Sequence, residues 1–189
     1  KQTDFIFFED IPHLLGKRVV IEPEEAIEEL LNLTENELPA RTQQLRDARC
    51  RDIQEYNAKF PDNPLAPIVV VIDEYADLVQ VLGKKEKDDF ETQMVRLAQR
   101  ARNVGIHLII ATQRPSSDIV TSRLKTNLPA RVAFRLPSYH DSMTILDQTG
   151  AENLLGRGDM LFKREDTTER LQGFYVETDQ LVDFLGRNS

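Results

Sequence analysis

An α/β fold is what this sequence predicts: a mostly parallel central sheet flanked by helices, with a C-terminal β-hairpin. Three observations carry the prediction. Ile68–Ile72 is an unbroken β-branched run ending at Asp73-Glu74, as expected of a strand buried on both faces that carries charge only where it leaves the sheet. Ile106–Ala111 is a second apolar run, ending at Thr112-Gln113, and the helical pattern between the two runs implies a right-handed crossover with parallel strands. Met160–Phe162 and Leu171–Val176 are short strand patterns on either side of a charged tip, Lys163–Arg170.

The elements follow in order. Lys1–Phe8 opens with an apolar plug or strand end, Phe5-Ile6-Phe7-Phe8, and Val19–Ile21 is a short strand candidate. Pro23 opens a helix at its first turn, with Ala26, Ile27, Leu30 and Leu31 on one face and Glu24, Glu25, Glu28 and Glu29 on the other. Thr34 and Glu37 fit a capping box for a second helix, apolar at Leu45, Ala48, Ile53 and Tyr56 and basic at Arg41, Arg46, Arg49 and Arg51. Phe60–Pro67 is a proline-rich linker into the first long strand. Tyr75–Leu82 reads as a short helix ended by Gly83, and Lys84–Asp89 as a charged loop. Phe90, Met94, Leu97, Ala101 and Val104 then mark one face of a longer helix stopped by Gly105. His107 is expected to be a packed polar residue. Asp118–Asn127 reads as a helix capped by Ser116 or Ser117, followed by a third strand, Arg131–Leu136, through another parallel crossover. Ser138 caps a helix Tyr139–Asp147, with Asp141 at the capping-box position. Thr178–Leu185 is a closing helix with Leu181, Phe184 and Leu185 inward.

The bulk numbers narrow the function. A chain of 189 residues, 40% hydrophobic and 30% charged, has the composition of one folded domain rather than of a disordered segment. A single cysteine, Cys50, excludes an internal disulfide framework and fits a reducing compartment. No apolar run is long enough to span a bilayer and no signal-peptide pattern is present, so a cytoplasmic location is expected. Net charge is −8, which argues against a general nucleic-acid coat. The charge is uneven, however. Residues 1–95 hold 11 Lys and Arg against 21 Asp and Glu, whereas residues 96–170 hold 12 against 8. A basic middle in an acidic chain is compatible with a local polyanion site.

The chemistry concentrates at the ends of the two long strands. In open parallel sheets, ligands sit outside the carboxyl ends of the strands. An apolar run followed by Asp and Glu there is the Walker B pattern of nucleotide hydrolases, in which the Asp helps hold Mg²⁺ and the Glu polarises the attacking water. A core strand followed by a solvated acidic turn has the same local pattern. Parallel pairing brings Gln113 beside Asp73 and Glu74.

Taken together, VVVIDEYADL, RLAQRARNVGIHLIIATQRPSSDIVT, LKTNLPARVAF and DSMTILDQTGAENLLGRGDML resemble the motor domain of the FtsK/SpoIIIE family of bacterial DNA translocases. Asp10–Leu15, DIPHLL, is also similar to this family, and the resemblance runs from about Asp4 to Val176. It implies a RecA-like P-loop NTPase core over residues 1–189 that binds ATP and Mg²⁺, assembles as a homo-hexamer around double-stranded DNA, and couples hydrolysis to DNA movement, as in chromosome segregation at division. By this resemblance Asp73 is the metal-coordinating aspartate, Glu74 the catalytic glutamate, Gln113 the sensor of the γ-phosphate and Arg131 the arginine finger. Tyr139 and His140, and the tip with Lys163, Arg164 and Arg170, match two pore loops that touch DNA. Geometry adds that Arg131, at the start of a parallel strand, should lie at the sheet edge opposite Glu74 and reach only a neighbouring subunit's site. No phosphate-binding loop of pattern G-x-x-x-x-G-K-[ST] occurs. Gly16-Lys17 is followed by Arg18 and stands five residues after Ile11, and Gly83-Lys84 is followed by Lys85 and stands five after Leu78. The chain is therefore expected to begin after that loop, to lack a winged-helix module, and to be inactive as an ATPase by itself. Two other readings remain at this point: a related ring ATPase serving protein secretion or conjugation, and a non-catalytic oligomerisation module.

Overall fold

The computed structural model describes residues 5–187. The apolar start is described from Phe5 on, as a single 3₁₀ turn, Ile6–Phe8, and residues 1–4 lie outside the described residues. Val19–Ile21 forms no strand. Helix α1, Pro23–Asn32, begins at its proline as expected and carries Glu24 and Glu25 in its first turn, where the helix dipole favours acids. It does not end before the next helix. A π turn, Leu33–Glu37, runs on into α2, Leu38–Ala48. The capping box therefore does not form. The hydroxyl of Thr34, fully buried, donates instead to the Leu30 carbonyl at 2.9 Å, and Glu37 accepts from Arg41 Nε at 2.6 Å. Arg49 in the left-handed region (φ 56°) ends α2, and Asp52 caps a separate α3, Ile53–Lys59, by accepting from the amides of Gln54 and Glu55.

Strand β1, Ile68–Ile72, and strand β2, Ile106–Ile110, pair in parallel from Ile68 opposite Ile106 to Ile72 opposite Ile110. Between them lie α4, Tyr75–Gln80, and α5, Lys84–Arg100. The charged stretch Lys84–Asp89 is the start of α5 rather than a loop, because the amide of Gly83 donates to the Glu86 carboxylate at 2.8 Å and nucleates the helix there. Gly105 ends the crossover at φ 77°, and its carbonyl accepts from the Ile68 amide at 2.8 Å.

Burial of β1 departs from expectation. Ile68, Val70 and Ile72 face the helices, while Val69 and Val71 on the opposite face are 58% and 54% exposed. On β2, His107 and Ile109 are exposed in the same alternation, so His107 is not a packed residue. The described helices cover one side of this two-stranded sheet only.

The third strand is also placed differently. Helix α6 is shorter than expected, Ser122–Asn127, and is capped by Thr121, whose hydroxyl oxygen accepts from the Leu124 amide at 3.2 Å. Strand β3, Ala130–Phe134, does not join β1–β2. It pairs antiparallel with β4, Asp159–Arg164, which pairs antiparallel with β5, Thr167–Gln172. Thus the C-terminal hairpin forms, with a shorter tip than expected at Glu165-Asp166. Helix α7, Tyr139–Leu146, is capped by Ser138, which accepts from the Asp141 amide at 3.2 Å and donates to its carboxylate at 2.8 Å. Helix α8, Thr178–Arg187, closes the described chain.

Three apolar clusters hold these parts. One joins α1, α4, α5 and Ile72 around Met94 and Phe90. A second joins α2, α3 and α5 around Leu97 and Ile106. A smaller one lies beneath the three-stranded sheet, at Ala133, Leu146, Ala151 and Leu154. Both larger clusters pack under β1–β2, which fixes where the two strands deliver their C-terminal residues.

Candidate functional site

Strand β1 ends at Ile72, whose carbonyl accepts from the Ala111 amide at 2.8 Å, and the Ala111 carbonyl accepts from Tyr75 N–H at 2.8 Å. These two bonds extend the parallel pairing past both strand ends. They hold Asp73-Glu74 against Thr112-Gln113. The Glu74 carboxylate is gathered by this edge: Oε2 accepts from the Gln113 amide at 2.8 Å, while Oε1 accepts from the Thr112 hydroxyl and from the Ala76 amide at 3.2 Å. The last bond makes Glu74 the N-cap of α4. Thr112 in turn accepts from the Arg114 amide at 3.1 Å, and Arg114 Nη1 donates to Gln80 Oε1 at 2.8 Å, tying the loop after β2 back to α4. Tyr75, buried beside this edge, stacks on Phe90 with ring centroids 6.1 Å apart, and burial pushes its phenol well above the ordinary range.

Asp73 is half-buried next to Glu74, and the Gln113 side chain is exposed over the same edge. No group of three or more His, Cys, Asp or Glu that could hold a metal exists among the described residues. One carboxylate suits Mg²⁺ nonetheless, because that ion keeps several waters and takes its remaining ligands from substrate phosphates. The donor set at Asp73 thus fits a nucleotide-borne Mg²⁺ and not a protein-caged metal. Two surface hollows, of about 510 Å³ along Arg135–Pro137 and about 580 Å³ between α2 and α5, include none of Asp73, Glu74 and Gln113.

The remaining candidates gather around α7. Lys125 Nζ, Arg131 Nη1 and Lys163 Nζ donate to the carbonyls of Thr144, Ile145 and Leu146 at 2.8, 2.9 and 2.6 Å, so three cations close three successive carbonyls at the C-terminus of one helix. Asp147, in the left-handed region at φ 54°, bridges Lys125 and Arg131, each at 2.6 Å. Burial opposes its charge, but those two hydrogen bonds hold the Asp147 carboxyl below its ordinary value. Arg131 Nε is buried with no acceptor among the described residues. Arg131 is therefore seated within its own chain. It does not lie at the opposite edge of the parallel sheet, since β3 is not part of that sheet.

The two DNA-contact candidates lie at opposite ends of α7. Tyr139 and His140, ring centroids 3.9 Å apart, are exposed at its N-terminal end, and Lys163 is bound at its C-terminal end. Arg170 is not at the hairpin tip. It lies in β5 opposite Leu161, where its Nε and Nη2 grip Asp159 at 2.9 and 2.7 Å. That grip, with the Leu155 amide, holds Asp159 at a pKa of about 2. Arg164 is the one cation of the three beside the Glu165-Asp166 turn, and it is exposed there. Sequence reasoning missed Thr112, Lys125 and Asp147. Thr112 had a signal, as the polar residue that directly follows a buried strand beside an acidic one.

The profile of the FtsK/SpoIIIE family matches residues 1–117. A DNA translocase FtsK of Campylobacter jejuni is 44% identical over 98% of this chain and 20% of its own length. The FtsK proteins of Caldanaerobacter subterraneus and Streptococcus pneumoniae are each 42% identical, over 100% and 98% of this chain and 26% and 25% of their own lengths. This chain spans a fifth to a quarter of those relatives. Among solved structures, the pCW3 conjugation coupling protein TcpA with ATPγS superposes at a TM-score of 0.79, with 30% identity, covering 90% of this chain and 50% of that one. The type VII secretion ATPase EccC of Thermomonospora curvata superposes at 0.75 with 20% identity, over 90% of this chain and 21% of its own, a likeness of fold alone. With the acidic end of β1 met by the polar end of a parallel β2, and with these matches over nearly its whole length, the chain belongs to the FtsK/SpoIIIE family.

Proposed function

We propose that this chain is part of an ATP-driven motor that moves double-stranded DNA through a homo-hexameric ring. The observation that carries the reading is the bond between Glu74 Oε2 and the Gln113 amide at 2.8 Å, which joins a candidate base to a candidate phosphate sensor in a chain of the FtsK/SpoIIIE family. In this reading Asp73 holds Mg²⁺ on the nucleotide, Glu74 takes the proton of the attacking water, and Gln113 reads the γ-phosphate. Arg131 serves a neighbouring subunit's site, and for that its guanidinium exchanges Asp147 for the transferred phosphoryl group. Tyr139, His140 and Arg164 meet the DNA backbone directly; Lys163 and Arg170 contribute positive potential from their seats on α7 and Asp159. No described helix is long and apolar enough to cross a membrane, so a membrane tether would come from other parts of the protein.

The test is made in the longest natural polypeptide carrying this sequence. Glu74→Gln should bind ATP yet hydrolyse it very slowly, while Asp73→Asn should weaken Mg²⁺-dependent nucleotide binding. Hydrolysis should rise with duplex DNA of any sequence, and binding should weaken steeply with salt. Normal turnover by Glu74→Gln would end the reading. The likeness to the conjugation coupling protein TcpA favours a second reading, transfer of DNA between cells. It shares the chemistry and differs in the partner, which a conjugation assay on a deletion strain separates from a chromosome-segregation defect.

A further inference from the structure

We propose that Thr112 is a positioning residue for ATP hydrolysis, whose hydroxyl aims the Glu74 carboxylate and ties its orientation to the backbone that carries Gln113. The inference rests on the proposed role of Glu74 and goes beyond it. The Thr112 hydroxyl donates to Glu74 Oε1 and the amide of the next residue, Gln113, donates to Oε2 at 2.8 Å. Two consecutive residues thus grip both oxygens of one carboxylate. The Ala76 amide also reaches Oε1, at 3.2 Å, but it belongs to α4; the Thr112 hydroxyl is the donor that ties that oxygen to the loop after β2 and draws the carboxylate plane toward Gln113.

The grip is itself braced. Thr112 accepts from the Arg114 amide at 3.1 Å, so its hydroxyl hydrogen is directed outward to Glu74, and Arg114 is anchored to Gln80 on α4 at 2.8 Å. Glu74 caps that same helix through Ala76. The loop after β2 and the start of α4 are therefore one hydrogen-bonded unit around Glu74. When Gln113 closes on a γ-phosphate, its backbone cannot shift without turning the carboxylate. The same linkage runs in reverse, so a turned carboxylate displaces the backbone that carries the sensor. A general base gains rate only when its lone pair points at the water it deprotonates, and misalignment is felt in kcat rather than in substrate affinity.

The experiment uses the longest natural polypeptide carrying this sequence, with duplex DNA present, and compares Thr112→Val, Thr112→Ser, Glu74→Gln and the double variant Glu74→Gln/Thr112→Val. Valine keeps the branched shape and removes the hydroxyl; serine keeps the hydroxyl. The expected result is a kcat for Thr112→Val lower by about tenfold or more with the KM for ATP unchanged, recovery in Thr112→Ser, and a double variant no slower than Glu74→Gln alone. Thermal melting of Thr112→Val separates lost positioning from lost folding. Should Thr112→Val not fold, a milder change, Thr112→Ala, takes its place and is read in single turnover. Unchanged or raised kcat in a folded hydroxyl-less variant overturns the proposal, as does a double variant slower than Glu74→Gln by the full single-variant factor. If Glu74→Gln itself turns over normally, the proposed function fails first; if Glu74→Gln is dead and Thr112→Val is normal, only this inference fails.

Discussion

The carboxylate of Asp159 is the clearest case of one residue setting local structure. It accepts two bonds from Arg170 and one from the Leu155 amide, so it joins the start of β4, the middle of β5 and the loop before them. Its folded pKa of about 2 lies below the ordinary carboxylate value. Its contribution to stability is therefore complete above pH ~4 and is lost as pH falls toward 2. Asp159→Asn should melt at lower temperature than the parent at neutral pH, and the gap should narrow steadily between pH ~4 and ~2 in parallel melting curves. A constant gap would mean that the charge of Asp159 contributes nothing. Asp147 plays a comparable part between Lys125 and Arg131. Neither partner of Asp147 is a sequence neighbour at helical spacing, so this pairing is illegible in the sequence, whereas the meeting of Gln113 and Glu74 follows from parallel pairing alone. For DNA contact, Arg164→Ala is expected to lower the salt slope of duplex binding by about one in filter-binding or anisotropy titrations. Lys163→Ala and Arg170→Ala should act chiefly on melting temperature.

Among the elements, α5 and its exit are the most legible. Phe90, Met94, Leu97, Ala101 and Val104 do form the buried face, and Gly105 does end the crossover. The charged start of α5 reads as a loop because six consecutive charges hide any apolar period, while the Gly83–Glu86 bond that starts the helix depends on one side chain reaching back. The join between α1 and α2 misleads in the opposite sense. Thr34 has the sequence context of a cap but back-bonds to Leu30 inside a continuous helical path, an alternative open to any buried threonine. Gly105 offers a sharp test. A Cβ there would approach Ile53 Cδ1 to 2.3 Å, at a backbone φ of 77° that side chains disfavour. Gly105→Ala should cost about 1–3 kcal/mol in denaturant unfolding, from the left-handed backbone and the overpacked contact together. Leu97→Ala, at a fully buried position, should cost about 2–5 kcal/mol by the same measurement.

At the scale of the molecule, the α/β class and the parallel β1–β2 pair are readable because each strand announces itself by composition and a helix between strands constrains their direction. Which strands become neighbours is not readable. The pattern of β3 is the same whether it lies beside β2 or beside β4, and here the antiparallel hairpin claims it. The result is two small sheets and an unshielded apolar surface on the first. Val69 and Val71 face outward with Ile109, on a pair of strands that has two edges without strand partners among the described residues. In a test tube that surface behaves as a colloid problem. Exposed β-branched side chains beside an open strand edge template contact with other chains. The purified 189-residue polypeptide should brighten a hydrophobic dye while still folded and should scatter light increasingly with concentration. Val69→Lys with Ile109→Lys should suppress both signals without lowering the unfolding midpoint. Clear, dye-dark solutions of the parent at high concentration would mean that its valines find cover within the chain.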